Sequence, residues 1–418
     1  MLLWALVLSA CSGTVSPGNS GGGDGAPGTE RSMESTPPKA GGIITYGYSS
    51  PFQGLFEPAF YEGDDDLYAL EFTTESMFRV NDDLTTVPNI ATWQESEDHR
   101  IFTFKIKPGV RWHNGDELTV EDWKFAMEVI ASPDYTGPRY YSVEMIQGVE
   151  AYHNGISKTI SGITVIDPYT LRVTVTAARV NTIDNLWSYP MNKKYYTGVA
   201  VKDMPESNQM RVKPIGTGPF QITSIKPGES VEMKRFDDYY KGKPLLDGVV
   251  YKVFDDKQIV SLFEQGAIDI ENAPRDSYEQ LQSVENVNLM QIPELSYEYI
   301  GFKFGSWDTK NEVIKMDNPK FADKRLRQAM YYALDRESLI QKYSYGLGEL
   351  VETPIPGTSW AKIPEEQINQ YSYNPQKAKE LLNEAGYVDI NNDGLREDPK
   401  GKPFVVNYDG MIGSTMGT

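Results

Sequence analysis

Segments patterned as strands and segments patterned as helices are mixed along this 418-residue chain, which predicts an α/β protein. Three observations carry that class. Phe102, Phe104 and Ile106 alternate with polar residues, the period-two signature of a half-buried strand. Helix start and stop signals frame the stretch from Asn374 to Gly386. Strands and helices are mixed throughout without a repeat. The length allows about two or three domains, each with chain enough for a core.

Taken in order, ordered sequence begins at GGIITYGYSSPFQG, where Ile43 to Tyr48 reads as a strand and Ser49-Ser50-Pro51 as a loop. After the strand at 102–106, Pro108-Gly109 turns the chain, and Val110 and Trp112 continue the alternation on a second predicted strand. Asn114-Gly115 is a strong turn signal. Thr119 is placed to cap a helix whose first turn holds Glu121 and Asp122, near the positive end of the helix dipole. Val120, Trp123, Met127 and Ile130 recur at spacings of three and four, giving that helix an apolar face. His113 lies in the strand-to-turn connection, with no second histidine, cysteine or serine spaced to complete a triad, and reads as scaffold.

SGITVIDPYTLRVTVTA predicts a hairpin joined at Asp167-Pro168-Tyr169. Gly216-Thr217-Gly218-Pro219 is a Gly-rich turn, followed by strands on either side of Pro227-Gly228. A phosphate cradle is disfavoured there, because no helix start follows and Pro219 has no N–H to donate. VSLFEQGAIDIENAP reads as a short helix running into a strand at Ile268 to Ile270. Further on, Leu326, Met330 and Ala333 share one helix face, and Asp335 caps a second helix carrying Leu339 and Ile340. Asn374 as cap, Pro375 in the first turn, Leu381 and Leu382 inward and Gly386 at the stop define a third.

Composition narrows function. With 40 basic against 59 acidic side chains the formal net charge is −19, and no Lys/Arg cluster stands out, so a nucleic-acid partner is excluded. Three histidines (His99, His113, His153) and one cysteine leave neither a disulfide within the chain nor a Cys/His metal site. No cofactor is called for.

The one cysteine ends MLLWALVLSAC. An apolar run from Leu2 to Ala10 is too short to span a bilayer but suits a secretory h-region. It resembles a bacterial lipoprotein signal, cleaved before a lipidated Cys11, although no Lys or Arg precedes it and the true start is expected upstream. Residues 12–40, rich in Gly, Ser, Pro and Thr, have little apolar surface to bury and read as a flexible tether.

Six further stretches carry a more specific resemblance. They are the run from TTESMFRVNDD through KPGVRWHNGDELTVEDW, the turn Gly216 to Phe220, FDDYYKGKPLLDGVVYKVF, FEQGAIDI, LRQAMYYALDRESLIQKYSYGLGELVETPIPG and YNPQKAKELLNEAGYVDINNDGLRE. In that order they resemble the family 5 extracellular solute-binding proteins of ABC importers, over nearly everything from Gly41 to Phe404. AYHNGISKTISGITVIDPYTLRV is similar to the oligopeptide-binding branch of Gram-positive bacteria.

The resemblance implies a two-lobed type II periplasmic-binding fold. Lobe I would span 41–270, including an inserted subdomain, and a partial lobe II would span 271–418, with a hinge at Glu271, Asn272, Ala273 and Pro274. The second half of lobe II and the C-terminal return to lobe I are expected to be missing, and with them the acid that holds a peptide's α-amino group. The implied protein is a monomer, tethered outside the cytoplasmic membrane, that captures oligopeptides by lobe closure and delivers them to permease subunits. By position, the cleft would be lined by Tyr46, Tyr48, Ser49, Ser76, Met77, Phe78, Gly216, Thr217 and Gly218, with Tyr297 and Tyr299 on a lobe II strand. Tyr46, Phe78 and Tyr299 read equally well as core. Glu75 and Glu298 could meet a ligand amine, but surface solvation is the favoured reading for both.

Asp389, Asn391, Asp393 and Gly394 match the start of a calcium loop, but Lys400 stands where a bidentate Glu belongs. Rival functions are a pheromone receptor or a nickel- or haem-binding member of the same family and, in another class, a secreted carboxylate-dependent hydrolase. No acid pair is singled out for the hydrolase, and the expectation is a binding protein without catalysis.

Overall fold

The computed structural model describes residues 38–285, 287–292, 296–357 and 359–409. Cys11 and nearly all of the 12–40 tether lie outside them. Two compact units divide between Leu289 and Met290, whereas the sequence places the crossing at 271–274.

In the first unit, β1 (Ile43–Tyr48) leads through α1 (Asp64–Thr73) to a hairpin of β2 (Phe78–Val80) and β3 (Thr86–Pro88). An antiparallel sheet of order β4-β5-β7-β6 follows, built from β4 (Ala91–Glu95), β5 (Ile101–Ile106), β6 (Ile163–Asp167) and β7 (Thr170–Thr174). Between β5 and β6 runs α2 (Val120–Ala131). The chain then returns as β8 (Phe220–Lys226), β9 (Ser230–Arg235) and β10 (Gly248–Val253), passes through α3 (Ile259–Glu264) and ends in β11 (Ile270–Glu271). These strands join β1 in a mixed sheet of order β11-β1-β10-β9-β8.

The alternation in β5 puts Phe102, Phe104 and Ile106 inward, opposite Val173 and Leu171 of β7. The apolar face of α2 covers them, with Trp123 edge-on to Phe104 at 4.9 Å. Its indole N–H donates to the Trp187 carbonyl at 2.8 Å, so the polar end of this buried ring is satisfied. Thr119 and Asp122 close a reciprocal capping box at the start of α2. One core joins both sheets, from Tyr46 and Phe56 to Leu171 and Tyr251. The predicted second strand at Val110–Trp112 does not form. The chain reverses at Gly115 and leaves only the single bridge Arg111–Glu117, although Val110 and Trp112 are buried.

The second unit holds a lone hairpin, β12 (Ser306–Asp308) and β13 (Val313–Lys315), and the helices α4 (Lys324–Ala333), α5 (Arg336–Tyr343) and α6 (Pro375–Glu384). α4 packs on α6 through Leu326 and Ala329 against Ala378, Leu381 and Ala385. Ala329 thus takes the inward place expected of Ala333, which is exposed where the helix ends. Asn374 accepts from the Lys377 N–H at 2.9 Å, and Gly386 leaves α6 at φ 84°. The expected strand around Tyr297 and Tyr299 is absent: no strand of the described residues pairs with 296–305.

One buried acid in the first unit gives a pH test. Glu57 lies in the core, its Oε2 accepting from the Tyr196 hydroxyl at 3.2 Å, and burial raises its carboxyl to about 8. An unfolded glutamate releases its proton near pH 4.3, so between there and about pH 8 only the folded chain holds it, and stability falls as pH rises. Urea unfolding at pH 5 and pH 8 is expected to show a wild-type loss, and Glu57→Gln is expected to reduce it by at most about 1.4 kcal/mol per pH unit, the part that Glu57 contributes.

Candidate functional site

Parallel pairing sets β1 between β10 and β11, with Tyr46 opposite both Tyr251 and Ile270. Tyr46 and Tyr48 are two residues apart and therefore share a face of the sheet. Against that face α1 lays Tyr68 and Phe72. Tyr48 meets Tyr68 at 5.1 Å and Tyr251 at 5.8 Å, while Tyr46 meets Phe72 edge-on at 5.8 Å. The result is an aromatic shelf at the carboxyl ends of β1 and β10. The Tyr251 hydroxyl donates to the Asp65 carbonyl at 3.0 Å, and Asn272 Nδ2 donates to the Tyr68 hydroxyl at 3.4 Å. Burial raises the Tyr46 and Tyr48 hydroxyls above the usual phenol range, so both stay neutral donors. Tyr46 is enclosed; Tyr48 and Ser49 remain half-buried.

Two acids near this shelf differ sharply. Glu75 is clasped: Lys241 Nζ reaches its two oxygens at 2.9 and 3.0 Å, Asn89 Nδ2 donates at 2.6 Å, and the Tyr239 and Tyr240 hydroxyls donate as well. Glu71, one turn earlier on α1, makes no hydrogen bond or ion pair among the described residues. Burial first, and the charge of Asp64 second, raise its carboxyl to about 8.

The Gly-rich turn is held by His113. Its Nδ1 accepts from the Gly216 N–H at 3.0 Å and its Nε2 lies 3.0 Å from the Gly218 carbonyl, so the proton sits on Nε2. Burial lowers this imidazole to about 4, which keeps it neutral with one donor and one acceptor matched to the turn. The scaffold reading of His113 agrees with this geometry. Gly216 and Gly218 press on the end of α1, where Gly218 N–H donates to the Thr73 carbonyl at 2.9 Å. Thr217 between them is buried.

Of the other residues expected in a cleft, Met77 and Phe78 are core, Phe78 packing on Trp93 at 5.1 Å and on Trp123 at 5.7 Å. The Ser76 hydroxyl donates to the Phe78 carbonyl. Tyr297 and Tyr299 are exposed in the second unit, their rings 5.8 Å apart, and Glu298 between them is exposed too. Among the residues expected at a hinge, Glu271 belongs to β11 and Asn272 reaches Tyr68. Sequence reasoning did not single out Tyr68, Tyr251 or Glu71. Tyr251 carried one usable signal, its alternation with Val249 in VVYKVF.

At the calcium-like loop, Asp389 accepts from the Gly394 N–H at 2.9 Å, Asn391 from Asp393 N–H at 2.9 Å and Asp393 from Leu395 N–H at 2.8 Å. Its oxygens thus serve the turn itself. No group of three or more His, Cys, Asp or Glu able to hold a metal occurs among the described residues. No described helix is long and apolar enough to cross a membrane.

An α/β chain in two compact units, with aromatic and acidic side chains at the carboxyl ends of parallel strands, defines a solute-binding protein of the two-lobed type. The chain belongs to the bacterial extracellular solute-binding proteins, family 5, whose model matches residues 85–415. It is 31% identical to the oligopeptide-binding protein AppA of Bacillus subtilis over 97% of this chain and 68% of that one. It is 26% identical to the dipeptide-binding protein of Escherichia coli, over 72% of this chain and 55% of that protein. The chain therefore spans about half to two thirds of the length of these relatives. Among solved structures, AppA in complex with a nonapeptide aligns with a TM-score of 0.67 at 29% identity, covering 88% of this chain and 68% of that one.

The turn at 216–218 admits a direct test. A Cβ on Gly218 would lie 2.5 Å from the Thr73 carbonyl carbon and 2.7 Å from Thr74 N, both backbone atoms. Gly218→Ala is expected to destabilise the protein by about 1–3 kcal/mol in urea unfolding, whereas Gly109→Ala meets open space and carries only the backbone strain of a side chain at φ 80°.

Proposed function

We propose that this protein is the substrate-binding component of an ABC transporter, capturing oligopeptides outside the cell and delivering them intact. The observation that carries the reading is the aromatic shelf of Tyr46, Tyr48, Tyr68 and Tyr251 at the carboxyl ends of β1 and β10, in a chain of this family. In open α/β sheets the crevice beyond strand carboxyl ends is where ligands sit. The similarity to AppA, seen with a bound nonapeptide, supports a peptide as the ligand.

A protein that accepts many peptides must hold what all peptides share. Main-chain N–H and C=O groups pair with strand edges and neutral hydroxyls, while broad aromatic surfaces accept varied side chains without demanding one shape. Tyr48 and Ser49, half-buried beyond the end of β1, are the contacts this reading favours first. Tyr297 and Tyr299 would contribute from the second unit. Closure about 271–274 would exclude bulk water and present the transporter with a ligand-dependent shape. A lipid on Cys11 would hold the protein at the outer face of the membrane of a Gram-positive cell, raising its concentration near the permease subunits. No bond in the peptide is made or broken.

Native mass spectrometry of the protein, expressed with all of its coding sequence, is expected to show co-purified peptides of mixed sequence. Solution scattering should show a smaller radius of gyration when peptides are added. Absence of both cargo and compaction would overturn the reading.

A further inference from the structure

A buried arginine is unfavourable unless it is well partnered, because its guanidinium cannot give up its proton. Arg139, in the loop that follows α2, is buried and turns its side chain to the segment that leads into α1. Its Nη2 donates to the Tyr61 carbonyl at 3.0 Å, and its guanidinium lies over the Tyr61 ring at 4.3 Å. The same loop takes hold of the two preceding residues. The Tyr135 hydroxyl donates to the Ala59 carbonyl and accepts from the Arg139 N–H at 3.2 Å, while the Tyr135 ring meets Phe60 edge-on at 5.1 Å. A Cβ on Gly137 would lie 2.9 Å from the Ala59 oxygen, so the loop closes on the segment where a side chain does not fit. Within the segment, the Phe60 and Tyr61 N–H groups both donate to the Glu57 carbonyl, at 2.9 and 3.2 Å.

The clamp holds one edge of the aromatic shelf. Glu62 is exposed and Gly63 half-buried, and α1 starts at Asp64. Asp65 then gives its carbonyl to the Tyr251 hydroxyl of the shelf at 3.0 Å. Two residues of chain span at most about 7 Å, so Gly63 stays beside the shelf. Residues 62–64 are thus anchored to the shelf at one end and to Arg139 at the other. We propose that Arg139 is a positioning residue for peptide binding: its clamp on Ala59 to Tyr61 presets residues 62–64 as a fixed edge of the shelf, so that an arriving peptide meets this edge already in place. The inference rests on the peptide-binding reading and adds to it a residue that acts without touching the ligand.

Preorganisation has a kinetic signature. An edge that wanders is competent for only a fraction of the time, and apparent affinity falls by that fraction. Ordering the backbone of even one residue at the moment of binding weakens affinity by about tenfold. That loss falls on the rate of association, since the bound state keeps its contacts and dissociates as before. A side chain that itself held the ligand would do the reverse, because lost contacts show in dissociation. A residue that only stabilises the fold changes neither rate in the protein that remains folded.

The test compares full-length wild type, Arg139→Met and Arg139→Lys for binding of a panel of nonapeptides of varied composition. Surface plasmon resonance gives both rates, at a temperature well below the melting point of each variant. Methionine keeps apolar length over Tyr61 but has no N–H to donate; lysine restores a cation for the ring and a donor for the carbonyl. For the peptides that the wild type binds, Arg139→Met is expected to weaken affinity about tenfold or more through slower association, and Arg139→Lys to recover part of it. Tyr135→Phe, which removes the donor to Ala59, should act in the same direction. Combined with Arg139→Met it should cost less than the sum of the two, as expected of a single clamp. Hydrogen exchange of the free protein should rise at residues 60–64 in both variants while the amides of β1 and β10 stay protected.

Unchanged association and dissociation in folded Arg139→Met, even with a lowered melting point, overturn the positioning role and leave the proposed function standing. A loss confined to dissociation makes Arg139 a ligand contact and overturns the role equally. If Arg139→Met does not fold, Tyr135→Phe alone decides by the same two rates. Binding of no peptide from the panel by the wild type overturns both the proposed function and this inference.

Discussion

The parallel pairing of β1 with β10 is the constraint on which the first unit depends. Parallel strands cannot be joined by a tight turn and need a crossover. Here the crossover is everything from Tyr48 to Gly248: α1, the small hairpin, the four-stranded sheet, α2 and the β8–β9 ladder. In return both strands end on the same side, and Tyr46, Tyr48 and Tyr251 meet there as a continuous shelf with α1 across it. The site is a consequence of how the sheet is closed, not of a local motif.

A second layer of control is electrostatic neutrality. His113 is uncharged and fixed in one tautomer, because burial disfavours the imidazolium and the Gly216–Gly218 turn offers one N–H and one carbonyl. A charged ring would present two donors to those partners and leave the Gly216 N–H without an acceptor. Glu75 and Glu71 show the opposite solutions for a carboxyl. They stand one turn apart on neighbouring segments, yet Glu75 collects a lysine, an amide and two phenols while Glu71 makes no hydrogen bond or ion pair among the described residues.

Local elements were legible in the sequence to a useful degree. The capping box at Thr119 and Asp122, the Asn374-Pro375 start and the Gly386 stop, the hairpin at 163–174 and the strand at 102–106 all depend on residues within a few positions of each other. Where the reading missed, a distant partner had decided. Val110 and Trp112 alternate like a strand and are buried like one, but the chain reverses at once and the pairing with 116–118 stops at the single bridge Arg111–Glu117. Ala333 has the right helical phase, but α6 contacts α4 earlier, at Leu326 and Ala329. Tyr297 and Tyr299 have strand character, but no strand of the described residues pairs with them.

The amino-acid sequence by itself determined the α/β class, the family and the scaffold role of His113. Each of these follows from composition, short-range period or chain order. Only the tertiary structure decided that Tyr68 and Tyr251 join Tyr46 and Tyr48, that Gly216 and Gly218 lie against Thr73, and that Glu75 is paired while Glu71 is not. Hydrogen bonding within a turn is written in adjacent residues. The desolvation of a carboxyl and the company of an aromatic ring are set by segments far apart in the chain, which meet only when β1 finds β10.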